Sequence, residues 1–447
     1  MARLFGTDGV RGIANESLTC ELAFKLGQAT AYLLGENDAK VKILIGKDTR
    51  LSGDMLENAL VAGITSAGAD AVILGVIPTP AVAHLIRHFE ADAGIMISAS
   101  HNPAEYNGIK IFDRQGYKLA DQVEDEIEKI ISGEKEITPA DPGKIGKRIV
   151  CEEGEAIYVD YLISTVETSL AGLRVAVDAA NGAAYRVAEQ VLKGLGAEVI
   201  SFFTAPDGVN INNACGSTHP EALQEKVKEL GADIGLAFDG DADRLITVDH
   251  LGRIVDGDKA LAICAVHLKQ SGALAKDTLV ATVMSNLGLE LYLQEQGISV
   301  VKTDVGDRYV LEEMVKEGYA FGGEQSGHII FLAYNTTGDG VLTGIQLLRI
   351  LAEEQKTLAA LADEITILPQ VLINARVAEQ KKHTYMEVSE IKAEIEMLEQ
   401  AMDGRGRVLI RTSGTEPLVR VMIEGEDYGY IEEEAKKLAA LIEEKLA

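Results

Sequence analysis

The sequence predicts an α/β protein: three related α/β domains with mixed, mostly parallel sheets, followed by a small C-terminal α+β domain. Three observations lead there. At 447 residues the chain is too long for one core, given domains of roughly 150 residues each. A weak repeat of β-like run, turn, amphipathic helix and second β-like run occurs three times. After Leu368 the pattern changes, to alternating strands around helices.

The first copy runs from Val41-Lys-Ile-Leu-Ile45 through a helical stretch around Met55 to Ala67 into Ala71-Val-Ile-Leu74. The second has Leu173-Arg-Val-Ala-Val177, a helix around Ala184 to Leu195, and Glu198-Val-Ile-Ser-Phe-Phe203. The third has Thr278-Leu-Val-Ala-Thr282, a helix around Leu287 to Gln296, and Ile298-Ser-Val-Val301. Strands alternating with helices of this length imply βαβ units and parallel pairing. In the tail, Pro369 to Val377 alternates like a half-exposed strand, Glu387 to Met402 has helical spacing, and Arg407-Val-Leu-Ile410 and Val419-Arg-Val-Met-Ile423 are further strands. The terminal helix carries Ile431, Ala435, Leu438 and Ile442 on one face. Seams near Gly146-Cys151, Val248-Gly257 and Ile365-Pro369 give expected domains 1–150, 151–252, 253–366 and 367–447.

A formal net charge of -28 argues against nucleic acid or an anionic membrane as the main partner. An anion site must then be built from local basic residues. Cys20, Cys151, Cys215 and Cys264 are scattered, with no CxxC pair, so neither a zinc signature nor a disulfide framework is present. The start lacks an apolar signal-peptide core, and no apolar run reaches the ~18 residues of a membrane span. A cytoplasmic protein is expected.

Four segments carry chemistry. In Gly94-Ile-Met-Ile-Ser-Ala-Ser-His-Asn-Pro103 an apolar strand ends in two serines, a histidine and a turn signal. Open α/β sheets bind ligands at such strand ends. Ser100 has His101 and Lys110 close in sequence, and a nucleophilic serine needs a proton acceptor and charge stabilisation nearby. Alone, the segment reads more readily as a serine that caps a turn or helix, and the other segments reverse that. In Phe238-Asp-Gly-Asp-Ala-Asp-Arg244, the alternate residues Asp239, Asp241 and Asp243 can aim three carboxylates at one point, which suits a hard divalent cation. An EF-hand is excluded, because its sixth and twelfth positions are here Arg244 and His250.

Arg411-Thr-Ser-Gly-Thr-Glu-Pro417 combines hydroxyls, a loosened backbone and Arg411 into an anion cradle, with Arg420 as a second charge; it is also readable as an ordinary Ser/Gly turn. Gly322-Gly-Glu-Gln-Ser-Gly-His328 presents Glu324, Gln325, Ser326 and His328 to a polyhydroxylated ligand. His84, His88, His250, His267 and His383 have no motif around them and read as structural or surface residues. A serine, a three-carboxylate loop, a second anion site and a polar loop together describe phosphoryl transfer, which requires mainly positioning and charge stabilisation. No Walker A segment or dinucleotide fingerprint indicates a nucleotide donor.

These residues resemble the α-D-phosphohexomutase superfamily. The resemblance covers essentially the whole chain and rests on Phe5-Gly-Thr-Asp-Gly-Val-Arg-Gly12, Ser98-Ala-Ser-His-Asn-Pro103, Asp239 to Arg244, Gly322 to His328 and Arg411-Thr-Ser-Gly-Thr415, in the family's order. The opening motif, Val305-Gly-Asp-Arg-Tyr309, Cys215-Gly-Ser-Thr-His219 and the Gln325 version of the loop are similar to the bacterial branch acting on glucosamine phosphates.

The resemblance implies four domains around a central cleft. It further implies a phosphoserine at Ser100 and Mg²⁺ held by Asp239, Asp241, Asp243 and an oxygen on Ser100. Glu324 and Ser326 would select the sugar, while Arg411, Ser413, Gly414 and Thr415 hold its idle phosphate. Arg11, His101, Lys110 and His328 would line the reacting centre, with Lys110 as the general acid/base. The implied reaction interconverts glucosamine 6-phosphate and glucosamine 1-phosphate, with glucosamine or glucose 1,6-bisphosphate as activator, and feeds UDP-N-acetylglucosamine synthesis. A homodimer acting on a small hexosamine phosphate is the implied assembly. The alternatives are a phosphomannomutase or phosphoglucomutase of the same superfamily, a non-catalytic sugar-phosphate sensor, and a calcium-binding module.

Overall fold

The computed structural model describes residues 3–6, 8–35, 40–413 and 416–447. The first sheet holds β1 (Val10–Ile13), β2 (Lys42–Lys47), β3 (Asp70–Val76), β4 (Ala93–Ile97), β5 (Tyr106–Asp113) and β6 (Arg148–Val150), in the order β1-β5-β4-β2-β3-β6. Its helices are α1 (Cys20–Leu34), α2 (Ser52–Ser66), α3 (Thr79–His88) and α4 (Asp121–Ser132). All five residues of β4 are buried, as a continuous apolar run in a covered parallel sheet should be.

After α5 (Gly154–Ser164) comes the second sheet: β7 (Arg174–Asp178), β8 (Glu198–Phe202), β9 (Ile234–Phe238), β10 (Leu245–Asp249) and β11 (Ile254–Val255), ordered β11-β10-β9-β7-β8, with α6 (Ala184–Gly194) and α7 (Glu221–Leu230) between strands. The third follows α8 (Gly257–Gln270) and is ordered β13-β12-β14-β15. Along the chain it runs β12 (Thr278–Thr282), α9 (Leu287–Glu295), β13 (Ser299–Thr303), α10 (Asp307–Glu317), β14 (Phe321–Gly323) and β15 (Ile329–Phe331), then α11 (Gly340–Glu354) and α12 (Leu358–Asp363).

The three sheets share one plan. The repeating strands lie as β5-β4-β2-β3, β10-β9-β7-β8 and β15-β14-β12-β13. In each, the third strand is parallel to the first and the fourth returns antiparallel beside it. The turn from third to fourth strand therefore falls at the same place each time, at residues 98–105, 239–244 and 324–328. Those are the Ser100, three-carboxylate and Glu324–His328 segments singled out from the sequence.

The tail is wholly antiparallel: β16 (Gln370–Arg376), α13 (Ser389–Met402), β17 (Gly406–Thr412), β18 (Leu418–Gly425) and α14 (Tyr428–Leu446), with strand order β16-β18-β17. Ile431, Ala435, Leu438 and Ile442 are all buried against it, each Ile or Leu stabilising by roughly 1.5–3 kcal/mol. The described chain divides into two compact units, Met1–Met284 with Ile298–Glu364, and Ser285–Gly297 with Ile365–Ala447. Although α9 lies between β12 and β13 in sequence, it belongs to the second unit. There Asn286 exchanges hydrogen bonds with the Leu368 backbone at 3.0 and 2.9 Å, and Leu287 N–H donates to Glu424 Oε2 at 3.0 Å. Among the described residues no helix is long and apolar enough to cross a membrane. The sequence reading named no strand at β1, β5, β6, β10, β11, β14 or β15; of these β6, β11, β14 and β15 have only two or three residues, too few to show a period-2 pattern.

Candidate active site

At the end of β4, Ser98 Oγ donates to Asp48 Oδ2 at 2.6 Å and accepts the Ser100 N–H at 2.9 Å. Ser100 has φ +53°, in the left-handed region, where a non-glycine residue costs about 1–3 kcal/mol. Arg50, whose side chain is fully buried, holds the loop there. Its Nη2 donates to the carbonyls of Ser100 (3.0 Å) and Asn102 (2.8 Å), its Nη1 to those of Tyr106 (2.9 Å) and Pro103, and its Nε to Asp48 Oδ2 (2.8 Å). Asn212 Nδ2 adds bonds to the same Ser100 and Asn102 carbonyls at 2.9 and 3.0 Å. Arg50→Leu is expected to destabilise the fold by about 3–5 kcal/mol, because it strands Asp48 without a counter-charge; a urea titration reads this directly.

Ser100 Oγ donates to Asp239 Oδ2 at 2.6 Å, so the serine and carboxylate loops meet. Gly240 makes the approach possible, since a Cβ there would lie 2.5 Å from the Ser100 carbonyl oxygen. His101 Nδ1 lies 3.3 Å from Ser100 Oγ. Burial, helped by Arg244 and Arg11, pushes the His101 pKa down to about 4, so the ring is neutral at pH 7.

Asp239, Asp241 and Asp243 are buried, and one carboxylate oxygen from each lies within 4.8 Å of the others. Burial, then Asp243 and Asp241, drive the Asp239 pKa well above the carboxylate range. Burial also opposes ionisation of Asp243, but Lys110, His328 and Arg244 outweigh it and hold that group well below. Lys110 Nζ reaches Asp241 Oδ2 at 2.8 Å, Asp243 Oδ2 at 3.2 Å and Asp8 Oδ2 at 3.1 Å. Burial lowers its pKa but those three carboxylates raise it well above the usual lysine value, so it stays a protonated cation. Asp241 Oδ1 and Asp243 Oδ1 are buried without hydrogen-bond partners. Three convergent carboxylates, two with an oxygen unused, and a serine oxygen alongside fit a hard divalent cation.

Arg11 lies on β1 opposite Gly108 of β5, and its Nη2 donates to Asp8. Arg11 Nε and Arg244 Nε are buried without hydrogen-bond partners, leaving two guanidinium nitrogens beside the serine loop for an anion. His328 Nε2 accepts the Gly338 N–H at 2.9 Å, which leaves its proton on Nδ1, 3.7 Å from Asp243 Oδ2. In the Gly322–His328 loop, Glu324 Oε1 accepts the Gly306 N–H at 3.1 Å and Ser326 Oγ is buried and unpaired.

In the second unit Arg411 and Arg420 stand directly opposite one another on β17 and β18. Like charges so placed repel; Glu416 Oε2, 3.7 Å from Arg420 Nη2, offsets part of this, and the two exposed guanidinium groups can take an anion. Ser413 is buried and its Oγ accepts the Glu416 N–H at 3.2 Å; Gly414 and Thr415 lie outside the described residues.

Sequence reasoning assigned no role to Asp48, Arg50, Asp8, Lys118 or Asp307. A signal existed for the first two, since Lys47-Asp48-Thr49-Arg50 places charges directly after an apolar strand. Asp8 and Asp307 sat inside quoted motifs without a function, and Lys118 carried no local signal.

Four family models match the chain in order. They are described as phosphoglucomutase/phosphomannomutase alpha/beta/alpha domain I (residues 2–138), domain II (156–252), domain III (256–367) and C-terminal domain (372–441). The chain is 58% identical over 447 residues to a phosphoglucosamine mutase of Alkaliphilus metalliredigens, covering 100% of both, and 56% identical over 446 residues to one of Clostridium novyi, covering 100% of this chain and 99% of that one. A crystal structure of a phosphoglucomutase/phosphomannomutase family protein from Burkholderia thailandensis superposes with a TM-score of 0.83 at 25% identity, covering 100% of this chain and 98% of that one. Full-length identity of this order, with the four domain models in sequence, makes the chain a member of the phosphoglucosamine mutase family, isomerases of the phosphohexomutase superfamily.

Proposed function

We propose that the protein interconverts glucosamine 6-phosphate and glucosamine 1-phosphate through a phosphoserine at Ser100 and a bound 1,6-bisphosphate, supplying UDP-N-acetylglucosamine synthesis. The observation that carries this is the 2.6 Å bond from Ser100 Oγ to Asp239 Oδ2, which puts a nucleophile and a cation site at one point. A hydroxyl of the sugar phosphate attacks the phosphorus on Ser100; the bond to Oγ breaks, and the hydroxyl proton is taken up by a base in the site. Neutral His101 lies 3.3 Å from Oγ, the departing oxygen, and protonated Lys110, held by Asp241, Asp243 and Asp8, is the general acid/base assigned to the reacting centre. The bisphosphate then turns over and its other phosphate returns to Ser100.

Asp239, Asp241 and Asp243 would hold Mg²⁺, which offsets charge on the transferring phosphoryl group. Arg11 and Arg244 have free guanidinium nitrogens for the same group, Glu324 and Ser326 receive the sugar hydroxyls, and His328 keeps Asp243 oriented. Arg411, Ser413, Gly414, Thr415 and Arg420 grip the idle phosphate.

The test is kcat/KM for glucosamine, glucose and mannose phosphates in parallel. Glucosamine phosphate is expected to be preferred at least roughly 10-fold, the worth of one well-placed polar contact. Equal or better rates on mannose or glucose phosphate would transfer the assignment to the sister mutases.

A further inference from the structure

Lys118 lies on the segment after β5, and only 11% of its side chain is exposed. Its Nζ donates to Asp8 Oδ1 at 2.5 Å and to Asp307 Oδ2 at 2.6 Å. These two carboxylates face different halves of the site. Asp8 Oδ2 lies 3.1 Å from Lys110 Nζ, the group that also holds Asp241 and Asp243. Asp307 opens α10, and its Oδ2 is 3.4 Å from His328 Nε2. The preceding residue, Gly306, is the one whose N–H meets Glu324 Oε1 at 3.1 Å. Gly306 has φ +133°, a conformation in practice open only to glycine. The aim of that amide therefore depends on how firmly the next residue is anchored, and Lys118 is its cationic anchor.

We propose that Lys118 is a positioning residue. By pairing Asp8 with Asp307 it fixes the turn before α10 against the sugar loop and so sets the Glu324 carboxylate for the hexosamine. Without its charge, Asp8 would keep Lys110 and Arg11, but Asp307 would lose its lysine partner and face Asp8 directly, and that repulsion would draw the turn and its N–H away from Glu324. The proposal rests on the reading of Glu324 as a sugar ligand.

Lys118→Met keeps the length and apolar stem but removes the charge. It is expected to raise KM for glucosamine 6-phosphate about 10-fold or more, with a smaller fall in kcat. Mn²⁺ affinity of the substrate-free enzyme, measured by calorimetry, should stay within about threefold, and Lys118→Arg should recover part of the KM. Asp307→Asn breaks the same pair while leaving Lys118 with Asp8, so it gives the readout if the methionine variant fails to fold. The double variant should be no worse than the worse single, because both remove one interaction.

An unchanged KM in both single variants overturns the proposal. So does a loss of kcat and Mn²⁺ affinity at constant KM, which would put Lys118 in the service of the reacting centre. Glu324→Gln, run alongside, separates the two layers. If it raises KM and Lys118→Met does not, only the lysine's role fails. If it leaves KM unchanged, the sugar-loop reading fails and the Lys118 proposal falls with it.

Discussion

Ser100→Ala is expected to lower turnover on the order of 10⁴-fold or more, even with 1,6-bisphosphate supplied in excess. The bisphosphate can recharge an enzyme that has lost its phosphate, but only if an acceptor oxygen remains. Alanine keeps the φ of +53° at the same backbone cost, and the Arg50 and Asn212 bonds to the loop carbonyls do not involve the side chain. What is lost is the bond to Asp239 Oδ2, worth about 1–3 kcal/mol for a buried polar group. Activity should therefore collapse while the protein stays folded, and a denaturant titration beside the assay separates the two. An intact-mass measurement gives a second readout: a phosphorylated fraction, heavier by about 80 Da, should be present in the parent and absent from the variant. Near-normal turnover with bisphosphate would show that phosphate passes through the site without this oxygen.

The segments that converge at Ser100 were legible in the sequence because each is a local pattern. A fully apolar strand ending in Ser98-Ala-Ser100 needs no tertiary knowledge to attract notice, and neither do aspartates at every second position from Asp239 to Asp243. Their meeting was legible only through the family resemblance, which put Ser100 and the three aspartates on one cation; the residue patterns alone do not give it. It follows from a strand order repeated three times, which places each loop at the same turn between third and fourth strands. Periodicity reports strands and helices, but not which strand neighbours which.

The supporting groups were hidden for the same reason. Arg50 binds carbonyls about fifty residues further along the chain, and Lys118 joins Asp8 to Asp307. A single lysine or arginine between two elements reads as a solvated surface charge. The helix α9 lies between the parallel strands β12 and β13, as its spacing indicates, but the bonds of Asn286 and Leu287 to Leu368 and Glu424 join residues far apart in sequence and no local pattern announces them.

The charge balance of the site leads to the last prediction. Asp8, Asp239, Asp241, Asp243 and Asp307 face four fixed cations, Lys110, Lys118, Arg11 and Arg244. Burial and the neighbouring Asp243 and Asp241 press on the excess at Asp239, holding its pKa well above the ordinary range, which favours its protonated form when no cation is bound. Asp239→Asn copies that neutral state and keeps an oxygen to accept from Ser100 Oγ. The metal-free variant should consequently melt close to the parent. Metal binding should suffer badly, because the amide cannot supply the charge that the proton's departure would uncover. Changes to outer-shell partners alone cost about 10–100-fold in metal affinity, and a direct ligand is expected to cost at least that. Saturating Mg²⁺ should raise the melting temperature of the parent, by an amount equivalent to about 2.7 kcal/mol at a hundred times Kd, and barely move that of the variant. Turnover should fall roughly 10²–10³-fold in parallel. If Mg²⁺ still stabilised Asp239→Asn as it does the parent, Asp239 would not be a ligand; if the metal-free variant melted far below the parent, its carboxylate would be ionised before any cation arrives.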